Sequence, residues 1–422
     1  MKRTPHYDSY VKILAEELIP AMGCTEPIAV ALAAATAVKA LGASPDACRV
    51  EVSGNIIKNV KAVTVPNTGG LKGLEAAVAA GVVSGKPELG LEVLSQITPA
   101  EIAEMQRFLQ THPTQVLPAN TDRVFYILVT LTAGSHTSSC EIMDYHTQIT
   151  SVRRDGIPLV RRQADGAGSA QTDRSVLRVA EILDFADCLD PADVAEVLSR
   201  QIDYNSAISQ EGLNGGWGAE VGKTLLDLYG SALPNRLKAA AAAGSDARMS
   251  GCEKPVVITS GSGNQGMTAS LPVIEYARAT GAAREALLRA LAVSDLITIH
   301  QKTGIGRLSA FCGAVSAGCG AACGIAYLDG GRLDVISQTI TNTLAICSGM
   351  ICDGAKPSCA AKIAAAVEAG ILGYRMSRSR GFVGGEGIIG EDVEATIANV
   401  GRLAHRGMRQ TDEEILHIML GM

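Results

Sequence analysis

Six of the 11 cysteines in this 422-residue chain, Cys312, Cys319, Cys323, Cys347, Cys352 and Cys359, fall in one short stretch near its C-terminal end. Any fold must decide which of them pack as small hydrophobes and which stay free to bind. Cys347 continues the apolar series Leu333, Ile336, Ile340, Leu344, Cys347, Ile351 at helical spacing, which predicts a core position. Cys319 and Cys323 sit in the run SAGCGAACG, where small size alone selects them, so packing and ligation both stay open. Cys352 and Cys359 differ, because they bracket Asp353-Gly354-Ala355-Lys356-Pro357-Ser358. That turn composition frees both thiols from helical packing and lets them converge. Thiolates of this kind suit an iron–sulfur cluster. Structural zinc would favour close C-x-x-C pairs, which are absent, and His300 reads as a packed or hydrogen-bonded helix residue before it reads as a ligand.

The odd cysteine count without a secretory segment argues for reduced thiols rather than a disulfide framework. The first residues, MKRTPHYDSYVKILAEELIPAMG, place charges at Asp8, Lys12, Glu16 and Glu17, so no uninterrupted apolar core of a signal peptide follows. No window approaches the ~20 apolar residues that span a bilayer, and the expected location is cytoplasmic. The net charge is −6, from 37 basic and 43 acidic residues without a long run of either sign. Neither nucleic acid nor a membrane surface is expected as a partner. Gly numbers 45 while aromatic residues reach only 4%, so small side chains do much of the packing and the main chain can wrap closely around a small polar ligand. A homodimer is the oligomeric expectation.

Helical periodicity from Tyr10 to about Gly42 is broken at Gly23-Cys24-Thr25-Glu26-Pro27, where Thr25 can cap and Pro27 can open a second helix. Cys24 then stands beside a helix start. RVEVSGNIIKNVKAVTV, from Arg49, reads as strands with turns, residues 71–110 as helices, and Arg123 to Arg162 again as strands with a hairpin turn at Asp155-Gly156. From about Ser175 the pattern is mostly helical, interrupted by Gly-rich loops at 214–218, 260–266 and 381–387. The expected class is α+β. A large, mainly helical catalytic domain (residues 1–45 and 170–422) carries an inserted smaller α/β domain (46–169).

The motifs Gly23-Cys24-Thr25-Glu26-Pro27 and Ser260-Gly261-Ser262-Gly263-Asn264-Gln265-Gly266, together with Cys312 and the loop from Cys352 to Cys359, resemble the iron-sulfur L-cysteine desulfidase family. That family is related to the α chain of bacterial iron-sulfur L-serine dehydratases, and the resemblance covers nearly the whole chain. It implies a [4Fe-4S] cluster on Cys312, Cys352 and Cys359 with one iron lacking a protein thiolate, and a catalytic role for Cys24 as the base. The following helix's dipole and the cluster could acidify that thiol. The implied reaction is α,β-elimination of L-cysteine to sulfide, ammonia and pyruvate, with L-serine as the nearest alternative substrate.

Around these residues several readings stay open. The Ser260–Gly266 loop can offer main-chain N–H groups and the Ser262, Gly263, Asn264 and Gln265 positions to a substrate carboxylate, or it can be a plain turn. Lys302 can bind the carboxylate or be solvated. Glu26 can hold the substrate ammonium, orient Cys24, or serve as an ordinary acidic first-turn residue. The same loop resembles that of pyridoxal-phosphate lyases, but a lysine in the setting that cofactor needs is missing upstream, and Lys238 reads as a solvated helix position. A non-catalytic cluster protein, sensing oxygen or iron or supplying sulfide, is the reading from another class. The charge pattern, which shows no partner surface, speaks against it.

Overall fold

Alternation of apolar residues builds one sheet from the strand-like region. In the computed structural model, which describes residues 3–162, 172–379, 381, 382 and 384–422, the strands are β1 (Pro20–Met22), β2 (Ala47–Val52), β3 (Thr114–Pro118), β4 (Tyr126–Ala133), β5 (His136–Met143), β6 (Ile149–Arg154), β7 (Ile157–Arg161) and β8 (Pro255–Val257). Six of them form a sheet in the order β3-β2-β4-β5-β6-β7, antiparallel except for the β2–β3 pair. Cys48, Val50 and Val52 of β2 and Ile127, Val129 and Leu131 of β4 all point inward, as period-2 patterning requires. The β6–β7 hairpin turns on Asp155 and Gly156, both at positive φ, as the Asp-Gly pair predicts.

Against this sheet lies the Thr25–Leu41 helix, which is buried almost all round, and Ser138 Oγ of β5 donates to the Ala37 carbonyl at 2.8 Å. Packing therefore crosses the line drawn at residue 46. The other end of the expected insertion, at residues 169 and 170, lies outside the described residues, as does Val383 of the 381–387 loop. Helices form the rest of the molecule, so the fold is α+β with a helical majority. None of the described helices is long and apolar enough to cross a membrane.

Three local expectations change. The Ile56–Val60 stretch is not a strand but part of a Gly54–Val60 helix, because Ile56, Ile57 and Val60 bury one helical face and a short apolar run fits either period. Strand β3 was not anticipated, since only its pairing beside β2 defines it. The 260–266 segment is a loop only as far as Ser262; Gly263–Gly266 is the first turn of a Gly263–Thr280 helix.

Two features of the helical part place the site. The helices Gly313–Leu328 and Cys359–Ser377 run side by side at backbone contact: a Cβ on Gly370 would meet the Gly318 carbonyl oxygen at 2.4 Å, and one on Gly318 would meet that of Ala366 at 2.6 Å. Gly370 also reaches the Ala322 side chain, so the register advances in the same direction on both helices and their starts lie at one end. Separately, β1 pairs antiparallel with β8, and beyond that pair a hydrogen bond from Thr25 to Gly261 joins the Gly23–Pro27 junction to the turn at Ser260.

Candidate active site

Four helix starts and one loop converge on a cavity of about 100 Å³. Cys24 is the N-cap of the Thr25–Leu41 helix, Cys312 the N-cap of Gly313–Leu328, and Cys359 the first residue of Cys359–Ser377. Cys352 lies in the loop between them. A short antiparallel bridge between Phe311 and Ile351 sets the distance between the Cys312 and Cys352 segments. The Cys312 N–H donates to the Met350 carbonyl at 2.8 Å and the Cys352 N–H to that of Ala310 at 2.7 Å, so the two thiols hydrogen-bond to one another. Gly354, at φ +96°, gives its N–H to the Cys352 sulfur while its carbonyl accepts from Cys359 Sγ at 3.8 Å. A side chain there would run into the Lys58 carbonyl oxygen at 2.3 Å, so this turn requires glycine.

Cys24, Glu26, Ser262, Asn264, Gln265, Lys302, Cys312, Cys352 and Cys359 all line the cavity. Gly263 does not; a side chain there would run into the Arg248 guanidinium, at 2.4 Å from Nε. Ser260 and Gly261, both at positive φ, form a two-residue turn closed by the Thr259–Ser262 bridge. Serine is a costly choice there and glycine a natural one. Thr25 Oγ1 donates to the Gly261 carbonyl at 3.0 Å, tying this turn to the Cys24 junction. His300 is elsewhere, bonded through Nε2 to Glu394 Oε2 at 2.8 Å. Cys319 and Cys323 are buried in the helix core, and Cys347 caps the Leu333–Ile346 helix against that core.

The charges follow from burial and from one another. The Cys312 hydrogen bond holds the Cys352 thiol below its ordinary value, with Lys58, the Gly354 N–H and Lys362 acting the same way, while Cys312 is pushed up. Burial lifts Cys359 as well. Cys24 packs in a small apolar cluster with Val63, Met249, Ala355 and Cys359, and burial pushes its thiol up to about 12, against the pull of Arg248. In the protein alone, then, the helix start does not acidify it; desolvation outweighs the dipole. Burial also raises Glu26 and lowers Lys302 to about 8.

Arg248, Asn59, His146 and Arg307 also line the cavity and carry no motif that sequence reading singles out. Arg248 donates from Nε to the Gly23 carbonyl at 3.0 Å and from Nη1 to Asn264 Oδ1 at 3.1 Å, fastening the two motifs together. Arg248 closes the Ala-rich Leu233–Met249 helix, which also carries Arg236 and Lys238, so only its burial in the structure sets it apart. Asn59, His146 and Arg307 come from elements distant in sequence and carry no local signature.

The three thiols suit a cluster better than a single ion. Among the described residues no three His, Cys, Asp or Glu side chains are placed to hold one metal ion, whereas each cluster thiolate binds its own iron. Main-chain N–H groups of Ala314 and Gly354 point at the Cys312 and Cys352 sulfurs, and Lys302 and Lys362 stand near enough to favour their thiolates. Sulfur-directed hydrogen bonds and nearby cations are what stabilise a thiolate-bound cluster.

A family model described as serine dehydratase alpha chain matches residues 88–417. Among curated proteins, the chain is 54% identical to a UPF0597 protein of Desulfitobacterium hafniense over 98% of this chain and 97% of that one. It is 50% identical to a UPF0597 protein of Lachnoclostridium phytofermentans (98% and 100%) and 43% identical to one of Treponema denticola (98% and 98%).

Proposed function

The chain belongs to the serine dehydratase alpha chain family, and on that premise we propose that it is a lyase that eliminates the β-substituent of a small amino acid, with L-cysteine as substrate and sulfide, ammonia and pyruvate as products. The observation that carries this reading is the placing of Cys312, Cys352 and Cys359 on one cavity together with Cys24. A [4Fe-4S] cluster held by Cys312, Cys352 and Cys359 would supply, at the iron without a protein thiolate, Lewis-acid stabilisation of the departing thiolate.

The protein's own groups do the rest. The free N–H groups at the start of the Gly263–Thr280 helix, with Ser262, Asn264 and Gln265, receive the substrate carboxylate, and Lys302 adds a buried cation. Glu26 faces the ammonium. Cys24, in its thiolate form, takes the Cα proton at Sγ and becomes the thiol, and Arg248 is the cation that offsets the thiolate's charge beforehand. The enamine product tautomerises and hydrolyses to pyruvate and ammonia without further help.

The family match keeps L-serine as a second reading. Pyruvate release from each amino acid by anaerobically reconstituted protein separates the two, and faster turnover of serine rejects the desulfidase assignment. Absence of pyruvate from both, with iron and acid-labile sulfide intact, favours a non-catalytic cluster protein.

A further inference from the structure

His146 stands in the loop between β5 and β6 and reaches the cavity from the sheet side. It is 6% exposed, its ring lies edge-on to Phe125 at 4.7 Å, and its Nε2 has no hydrogen-bond partner among the described residues. A buried polar atom left unpaired is costly, so a reason for the imidazole must lie in what enters the cavity. Its surroundings are cationic. A methyl group placed on Gly261 would stand 2.9 Å from Arg307 Nη1 and 3.2 Å from His146 Cε1, so both side chains close on the tip of the Ser260–Gly261 turn. Arg307 is itself held from two sides, by Glu17 Oε1 at 3.2 Å and by the Tyr145 ring, whose centroid lies 4.5 Å from Cζ. A fixed guanidinium beside an imidazole attracts a carboxylate and repels an ammonium.

We propose that His146 and Arg307 complete the subsite for the α-carboxylate of the amino-acid substrate, closing over it from the side opposite the start of the Gly263–Thr280 helix, so that the strand-bearing part of the chain takes part in substrate selection. The inference rests on the amino-acid lyase reading above and extends it to residues outside its motifs. Burial with Arg307 and Arg248 nearby lowers His146 to about 3, which leaves a neutral ring whose N–H can donate to the carboxylate at every working pH. It is a binding group, not an acid.

The test is calorimetric binding of two unreactive probes to the cluster-loaded protein: L-alanine, and ethylamine, which is alanine without its carboxylate. His146→Ala is expected to weaken L-alanine about ten-fold or more, His146→Gln to restore part of the loss by keeping a donor, and ethylamine binding to stay as in wild type. Arg307→Lys, which keeps the charge but loses the fork, is expected to weaken L-alanine only. Equal L-alanine affinity in wild type and a folded His146→Ala protein overturns the proposal. So does an equal loss for ethylamine, which would make His146 a wall rather than a carboxylate contact, and so does failure of wild type to bind L-alanine. The two readings fail separately: wild type that releases no pyruvate yet binds L-alanine through His146 sinks the lyase and leaves the subsite standing.

Discussion

At the residue scale, eleven chemically identical thiols acquire different roles through their neighbours alone. Cys319 and Cys352 show the contrast. The first is enclosed in helix core, whereas the second meets Cys312, a glycine N–H and lysine side chains. Cys352→Ala is therefore expected to abolish the visible and EPR signals of a reconstituted cluster and to lower bound iron, while Cys319→Ala keeps both; iron and acid-labile sulfide analysis on anaerobic protein decides. A second residue-scale prediction concerns Asp295, fully buried behind the Ser260 turn, whose Oδ1 accepts from Gln201 Nε2 at 3.1 Å and Thr259 Oγ1 at 2.9 Å while Oδ2 has no partner among the described residues. Burial pushes it up to about 7 from an ordinary 3.8. The folded state keeps a proton that the unfolded chain gives up, so this group lowers stability progressively as pH rises between those values. In Asp295→Asn the difference in Tm from wild type should move in the variant's favour from pH 4 to pH 7; a constant difference across that range refutes the assignment.

The helical elements owe their placement to absent side chains. Gly318 and Gly370 let two helices touch at the backbone, and that contact aligns Cys312 with Cys359. Gly370→Ala puts a methyl group 2.4 Å from a carbonyl oxygen that belongs to a rigid helix, which forces the helices apart. The expected cost is about 1–3 kcal/mol, read as a lower midpoint in chemical denaturation. Cluster loading should fall with it, because the same displacement separates the two thiols. Loss of stability with unchanged iron content would show that the spacing of these helices does not set the site. The Ser260–Gly261 turn works differently: two consecutive residues at positive φ present a short loop tip to the cavity, and the helix that follows directs its free N–H groups there.

Across the whole molecule, distant segments hold the site together from behind. Lys58, buried beside the Cys352 loop, pairs with Asp412 of the C-terminal Arg409–Leu420 helix. Lys61 of the same region donates to the Met419 carbonyl. Asp412→Asn leaves a buried ammonium without its counter-charge and is expected to cost about 2–4 kcal/mol, seen as a fall in Tm that Asp412→Glu recovers in part. An unchanged Tm would mean that water or another group compensates Lys58.

Local pattern was enough for the class of fold, for most helices and strands, and for the hairpin at Asp155-Gly156, because period, turn chemistry and glycine placement act over a few residues. It was also enough to draw attention to Cys24, Cys352, Cys359 and the Ser260–Gly266 segment, each marked by turn formers around it. Where local signals were ambiguous, as in the short Ile56–Val60 run, only packing chose helix over strand. Tertiary structure alone decided that Arg248, His146 and Arg307 join these residues. A cavity is made where chains far apart in sequence meet, and nothing in the neighbourhood of His146 along the chain records that its ring will face Gly261 across a gap between two parts of the fold. Amino-acid order settled what each segment prefers to be; the contacts between segments settled which side chains share one space, because desolvation and charge pairing act through distance in space and not along the chain.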